Sequence, residues 1–202
     1  MPKLVVRLLV PAAVAVLLVA CSGGSSGTGS PSTSAPGPTA TISGSPPTAE
    51  QTAWAGQVCS ATAQLKTSIQ GLATAATAGG GDAKTRVAAQ LDVVKTSANS
   101  LVDTVAAVPK GSENDPDLAP VQGSSQQLKA SLDTLEQSVI ALQGASGAAA
   151  LTALAAVGKA ASASLAALGA TAQAIGTATK DQKGTLGQAF AANSTCTALE
   201  QQ

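Results

Sequence analysis

The chain is poor in the residues that do acid–base, metal and aromatic chemistry. Its 202 residues include no histidine and no tyrosine, one tryptophan and one phenylalanine. Without an imidazole, the Ser-His-Asp and Cys-His arrangements of nucleophilic catalysis and the histidine-based metal sites are excluded. An enzyme would have to rely on carboxylates, lysine, serine or threonine alone. We therefore expect a protein that is not an enzyme and that has no cofactor or metal ion.

The chain also lacks an excess of charge of either sign. It has 11 basic and 11 acidic residues, and two of the bases, Lys3 and Arg7, precede Cys21, whereas all of the acids follow it. The region after residue 20 therefore has two more acids than bases. This balance provides no basic surface for a phosphate backbone, so we expect no nucleic-acid partner.

Residues 1–20 have the organisation of an export signal. The two bases precede an apolar run from Leu8 to Val19, which is shorter than the roughly 20 residues that a transmembrane helix needs. The run ends in Leu18-Val19-Ala20-Cys21, which resembles the lipobox of bacterial lipoproteins. The resemblance implies cleavage after Ala20, a diacylglyceryl thioether on Cys21 and a position on the outer face of the cell membrane. The alternative is an ordinary secretory signal in which Cys21 is incidental.

Residues 21–49 are interpreted as the lipidated N-terminus and a tether. From residue 22 to 49 every residue except Ile42 is Ser, Gly, Thr, Pro or Ala. Such a segment buries too little apolar surface to offset the entropy lost on ordering, so we expect disorder and a span of roughly 30 Å. Similar tethers of actinobacterial lipoproteins carry O-linked sugars in some cases, but we interpret this one as a bare spacer.

Residues 50–202 are predicted to form a helical domain. Apolar and small residues recur there at alternating intervals of three and four, the spacing of a helix face that packs on a neighbour. The first segment has these residues at Trp54, Val58, Ala61, Leu65, Ile69, Leu72 and Ala76. The second has Val87, Leu91, Val94, Ala98, Leu101, Val105 and Val108. The third has Leu118, Val121, Ser125, Leu128, Leu132, Leu135, Val139 and Leu142. The fourth has Leu151, Leu154, Gly158, Ala161, Leu165, Leu168, Ala172 and Ile175.

Glycine and proline separate these segments. The breaks fall at residues 79–81, 109–116 and 144–147. Because short connections favour antiparallel neighbours, we predict an all-α fold, an up-down antiparallel four-helix bundle. A short fifth helix is expected from about Asp181 to Glu200. The fourth helix carries one charge, Lys159, but its small residues favour packing in a bundle over the alternative of a membrane span.

Two cysteines remain in the domain, Cys59 and Cys196. In an oxidising compartment a disulfide between them is the natural expectation, with two free thiols as the alternative. Trp54 is expected to pack beside this disulfide in the core, and a ligand-stacking role is the alternative. The acidic residues Glu113 and Asp115, with Asp117, lack the EF-hand pattern and are interpreted as a solvated loop with a helix cap.

The combination of Trp54, Cys59 and a late cysteine in an Ala-rich chain is similar to small secreted lipoproteins of high-GC Gram-positive bacteria. This resemblance implies no activity. We expect a membrane-anchored, non-catalytic interaction or structural module of the cell envelope, with an envelope protein or a lipid as its partner. The alternative is a carrier that binds a lipid or another apolar ligand between its helices.

Overall fold

The computed structural model describes residues 45–199, and every regular element in that range is a helix, as the sequence predicts. The export signal, Cys21 and most of the tether lie outside the described residues. The helices, in chain order, are α1 (Ala49–Thr77), α2 (Ala83–Ala106), α3 (Leu118–Gly144), α4 (Ala148–Asp181), α5 (Thr185–Ala191) and α6 (Ser194–Leu199).

Residues next to α1 in sequence fix both of its ends. The Thr48 hydroxyl accepts a hydrogen bond from the Gln51 backbone N–H (3.2 Å), and the Gln51 side chain accepts one from the Thr48 N–H (2.8 Å). This reciprocal pair is a capping box, which satisfies N–H groups that the helix itself leaves unpaired. After the helix, Gly79 and Gly80 have φ angles of 59° and 84°, a backbone region that glycine enters at little cost.

The four long helices pack on one another in a closed order. α1 contacts α2 and α4, and α3 contacts α2 and α4, while α5 and α6 pack on α1 and α4. Trp54, near the start of α1, donates a hydrogen bond from its indole N–H to the Thr104 carbonyl oxygen near the end of α2 (2.7 Å). Lys84, at the start of α2, donates one to the Gln143 carbonyl oxygen near the end of α3 (3.3 Å).

The core follows the predicted faces of the first three helices. All seven predicted positions of α1 are buried, and those of α2 and α3 are buried or half-buried. The fourth face was predicted wrongly in part, since the Leu151 side chain is 70% exposed. Buried positions of α4 that belong to a shifted face with the same alternating spacing are Val157, Ala161, Ser164, Leu168, Thr171, Ile175 and Ala178. Ser164 and Thr171 occupy core positions of this face, whereas the predicted face had their neighbours Leu165 and Ala172.

The sequence predicts a single short C-terminal helix from about Asp181 to Glu200. Up to residue 199, the structure instead has the end of α4 followed by two separate helices, α5 and α6. α4 continues to Asp181 and stops at Gln182, which has a φ of 46°. The second interruption lies at Asn193, whose side-chain oxygen accepts a hydrogen bond from the Thr195 backbone N–H (3.0 Å). This bond pairs an N–H group at the start of α6 and so favours a new helix start there.

The helix α4 is long and apolar enough to cross a membrane by length and composition alone. In its most apolar stretch only 28% of the residues are buried. Helices α1, α3, α5 and α6 nevertheless pack against α4. A large share of the small-residue surface of α4 therefore remains uncovered by the described part of the chain.

Candidate functional site

The two domain cysteines form the disulfide that the sequence predicts. The Cα atoms of Cys59, in α1, and Cys196, in α6, are 5.1 Å apart, and the bond joins residues separated by 137 positions. Both side chains are fully buried. The bond therefore fixes the end of the described chain to its first helix. The predicted lipidation residue Cys21 lies outside the described residues.

Trp54 is part of the core. Its ring packs against Phe190 of α5, with the ring centroids 5.6 Å apart and the planes inclined by 50°. The side chain is only 4% exposed, and its N–H is paired with the Thr104 carbonyl oxygen. Because protein already covers the ring, its predicted place in the core is confirmed, with Phe190 as the neighbouring ring, and the ligand-stacking alternative is not supported.

The acidic loop between α2 and α3 was predicted to be solvated, and this is wrong for two of its three carboxylates. Glu113 is exposed, but Asp117 is buried and Asp115 is half-buried. An Asp117 carboxylate oxygen accepts a hydrogen bond from the Gly184 N–H (2.8 Å), and an Asp115 oxygen accepts one from the Leu186 N–H (3.0 Å). The Asp117 side chain makes no capping hydrogen bond to α3. The other Asp115 oxygen accepts a hydrogen bond from the Asp117 N–H (3.0 Å), just before α3. Both carboxylates also pair N–H groups at the start of α5, which is more than 65 residues away in sequence.

The Gln51 side chain extends this polar junction to α1. Its amide donates to the Ser112 hydroxyl oxygen (2.8 Å) and to the Thr185 hydroxyl oxygen (3.1 Å). The Thr185 hydroxyl in turn donates to the Asp115 carboxylate (3.1 Å). At one end of the domain, hydrogen bonds thus connect the start of α1, the α2–α3 loop and the start of α5. We call the residues Gln51, Ser112, Asp115, Asp117 and Thr185 the polar junction.

Burial raises the pKa of the Asp117 carboxyl above its ordinary value of 3.8, although N–H groups of Gly184 and Gly187 and the charge of Lys183 act in the opposite direction. The negative charge of Asp115 adds to the increase. Ionising a carboxyl away from water is costly, and here that cost exceeds the benefit of the hydrogen bonds. Raised carboxyl pKa values also occur at catalytic sites. Here, however, Asp115 and Asp117 accept their hydrogen bonds from N–H and hydroxyl groups of the protein itself.

A groove with a volume of about 540 Å³ lies between α1 and α4. This value lies within the range of roughly 300–1,000 Å³ that is typical of ligand sites. We call it the α1–α4 groove. Its lining residues are Thr62, Lys66, Gln70, Leu165, Leu168, Gly169, Ala172, Gln173, Gly176, Thr177, Lys180 and Leu199.

Small residues of α4 create much of the open space in this groove. Gly169 and Gly176 lack side chains, and Ala172, between them, has only a methyl group. Leu165 and Leu168 supply apolar surface on the same helix, and Leu199 supplies it from α6. Apolar surface and polar side chains thus line the same groove, a combination that is usual in a site for a small apolar molecule.

A second, smaller cleft of about 110 Å³ lies among α1, α2 and α3. Leu65 and Leu128 line it, and the Lys95–Glu136 ion pair (2.8 Å) crosses its edge between α2 and α3. The hydrogen bond from the Lys95 ammonium to Glu136 raises the pKa of Lys95. Because this pair is largely exposed, it contributes little to stability.

Between residues 45 and 199 no group of three or more His, Cys, Asp or Glu side chains has the arrangement needed to hold a metal ion. No family model, curated protein or solved structure matches the chain. The described residues thus form packed helices, a polar junction whose carboxylates pair with the backbone, and the α1–α4 groove.

Proposed function

We propose that the chain is a lipoprotein of the outer face of the cell membrane, anchored by lipid on Cys21. The observation that carries this proposal is the sequence Leu18-Val19-Ala20-Cys21 at the end of a short apolar run that follows two bases. A tether of Ser, Gly, Thr, Pro and Ala comes next, and it would let a folded domain move near the bilayer. Two acyl chains contribute about 0.8 kcal/mol for each buried CH₂, enough for stable anchoring.

For the domain we propose an up-down antiparallel four-helix bundle with α5 and α6 packed at its side. The closed order of contacts among α1 to α4 supports this arrangement. So do the hydrogen bonds from Trp54 to Thr104 and from Lys84 to Gln143, since each joins the start of one helix to the end of the next. Short connections between successive helices are typical of this topology.

We propose further that the domain acts by binding and has no catalytic activity of its own. The two carboxylates that converge in the described structure, Asp115 and Asp117, both accept hydrogen bonds from the backbone of α5. The exposed small-residue surface of α4 would allow another helix to approach closely, which favours an envelope protein as partner. Crosslinking in intact cells, followed by identification of the captured protein, tests this part of the proposal.

The anchor is tested by replacing one sulfur atom. The substitution Cys21→Ser removes the only thiol that the lipobox can present for lipidation, so the chain should move from the membrane fraction to the soluble fraction or the medium. The control Ser22→Ala changes the neighbouring residue and should leave the distribution unchanged. If the Cys21→Ser protein stays with the membrane to the same extent as the natural chain, the proposal is wrong.

A second function, the binding of a lipid or another apolar molecule, is favoured by one specific observation. The α1–α4 groove is large enough for such a ligand and has leucine side chains along its lining. A lipid-anchored chain would also lie within reach of membrane lipids. In this alternative the domain carries or senses an apolar molecule instead of docking to a protein.

A further inference from the structure

The core is covered less completely between α2 and α3 than along α1. Every predicted face position of α1 is buried, whereas Leu91 and Ala98 of α2 and Leu132 of α3 are only half-buried. These three side chains line the cleft of about 110 Å³ described above, which we call the α2–α3 cleft. Leu65 of α1, which is fully buried, also lines it. The cleft therefore extends from the surface between α2 and α3 into the core.

The inner part of the α2–α3 cleft is lined by hydrocarbon. Val94, Leu101 and Leu128 line it together with Leu65, and each of these four residues is at most 2% exposed. Their side chains have no polar atom, so a water molecule there would find few hydrogen-bond partners. An apolar cavity of roughly 150 Å³ stays dry and takes up benzene. The α2–α3 cleft is somewhat smaller but open at the surface, so a ring of that size fits without being fully enclosed.

The polar residues at the mouth of the cleft carry no net charge. Two bases and two acids are paired with each other as Lys95–Glu136 (2.8 Å) and Lys129–Asp133 (3.3 Å). The fifth polar lining residue, Asn99, is neutral. Because each charge at the mouth has a partner of opposite sign within the protein, the mouth attracts neither a cation nor an anion. This balance favours an uncharged ligand.

We propose that the α2–α3 cleft binds a small uncharged molecule whose apolar part is one aromatic ring or a branched alkyl group of similar size. The apolar part lies against Leu65 and Leu128, and the rest of the molecule lies at the mouth, beside the two ion pairs. No residue lines both this cleft and the α1–α4 groove, so the two sites are separate. The inference therefore goes beyond the proposed function and depends neither on the anchor nor on the groove.

Two rings of equal size separate apolar contact from polarity. We would titrate benzene and pyridine, at an alkaline pH where pyridine is uncharged, into the full chain carrying Cys21→Ser, which has no acyl groups that could compete. Two-dimensional NMR of the leucine methyl groups locates each ring. Benzene should shift the signals of Leu65 and Leu128 until they saturate. Pyridine should bind at least tenfold more weakly, because its nitrogen would lose a hydrogen bond to water on entering the cleft.

A blocking substitution tests the location. Ala98 lines the cleft and is half-buried, so the larger side chain of Ala98→Leu would occupy the space that the ring needs. Alanine and leucine both favour helix, so α2 itself is retained. This variant should bind benzene at least tenfold more weakly. Ala88→Leu, at a half-buried position of α2 outside the cleft, is the matched control and should bind as the parent does.

Each of three results would overturn the inference: benzene leaves the Leu65 and Leu128 signals in place, pyridine binds as tightly as benzene, or Ala98→Leu binds benzene as tightly as Ala88→Leu does. A fourth is a shift confined to Leu165 and Leu168, which would place the ring in the α1–α4 groove instead. Far-ultraviolet circular dichroism of both leucine variants checks that they are folded. If Ala98→Leu is unfolded, the methyl shifts and the comparison of the two rings in the parent chain decide the question.

Discussion

A single residue, Asp117, makes the stability of the domain depend on pH. Its pKa is raised above 3.8 in the folded state, mainly by burial, so the native chain holds this proton at a pH where the unfolded chain has lost it. Stability from this group is therefore present at low pH and is lost as the pH rises through the folded-state value. The charged form costs stability at neutral pH.

The substitution Asp117→Asn isolates this contribution. Asparagine keeps an acceptor for the Gly184 N–H but does not titrate, so the natural chain should gain stability relative to the variant as the pH falls from 7 toward 4. Urea unfolding followed by far-ultraviolet circular dichroism at several pH values measures the difference. Asp103→Asn, at an exposed position of α2, is the control and should show a smaller change. A stability difference for Asp117→Asn that is constant over this pH range would contradict the account.

Residue identity alone predicted the core positions well where the side chains are large. In α1 the large residues of the predicted face, Trp54, Val58, Leu65, Ile69 and Leu72, are all buried, because apolar side chains of that size gain most from leaving water. In α4 the pattern was ambiguous, since alanine and serine are common on every face. There Leu151 is exposed while Ser164 is fully buried, and within the described residues the Ser164 hydroxyl has no hydrogen-bond partner. Which small residue is buried depends on how closely the neighbouring helices approach α4, and the sequence alone does not give that distance.

At the scale of elements, the contact between α5 and α4 depends on the absence of a side chain at Gly187. A Cβ atom there would lie 2.7 Å from the Ala178 carbonyl oxygen and 2.9 Å from the Gln182 Cα atom, and it would also meet the Asp117 carboxylate. Two of these neighbours are backbone atoms, which do not move aside as a flexible side chain would. We therefore expect Gly187→Ala to reduce the free energy of unfolding by about 1–3 kcal/mol.

The control for this prediction is Gly123→Ala in α3, at an exposed position where an added Cβ meets nothing within 4 Å. That change should stabilise the domain by up to about 1 kcal/mol, because alanine favours helix more than glycine does. Chemical denaturation of both variants gives the comparison. Equal effects of the two substitutions would show that α5 does not pack as closely as described.

The boundaries of elements were predictable where the chain carries its own signals. Glycine at residues 79–81 and at 144–147 and proline at 109 and 116 mark the three loops between the long helices. The start of α5 was not predictable, because the groups that pair its N–H atoms are Asp115 and Asp117, in a distant loop. The α1–α4 groove was also not predictable, since it depends on how two helices with small residues fit together.

For the whole molecule, the disulfide is the strongest constraint. It closes a loop over 137 positions, and the chain-entropy account gives about 5 kcal/mol for a loop of this length, with native disulfides typically worth 2–5 kcal/mol. The double substitution Cys59→Ala and Cys196→Ala should therefore reduce the free energy of unfolding by about 2–5 kcal/mol. Alanine avoids burying a new hydroxyl group at either position.

Amide hydrogen exchange would locate the effect of this substitution. We expect α5 and α6 to lose protection at lower denaturant concentration than α2 and α3, because the bond fixes α6 to α1. Cys21→Ser, which leaves the disulfide intact, is the control and should keep the protection of the natural chain. If the double variant and the control unfold with the same free energy, the disulfide does not stabilise the domain.

The chain contains one tryptophan and no tyrosine, and Trp54 lies where α1, the end of α2 and α5 meet. Its fluorescence therefore reports on the contact between α1, α2 and α5 alone, because the chain has no other tryptophan and no tyrosine. An emission maximum that shifts to longer wavelength before helicity is lost would show that α5 detaches first. Coincident changes would show that the domain opens as a single cooperative unit.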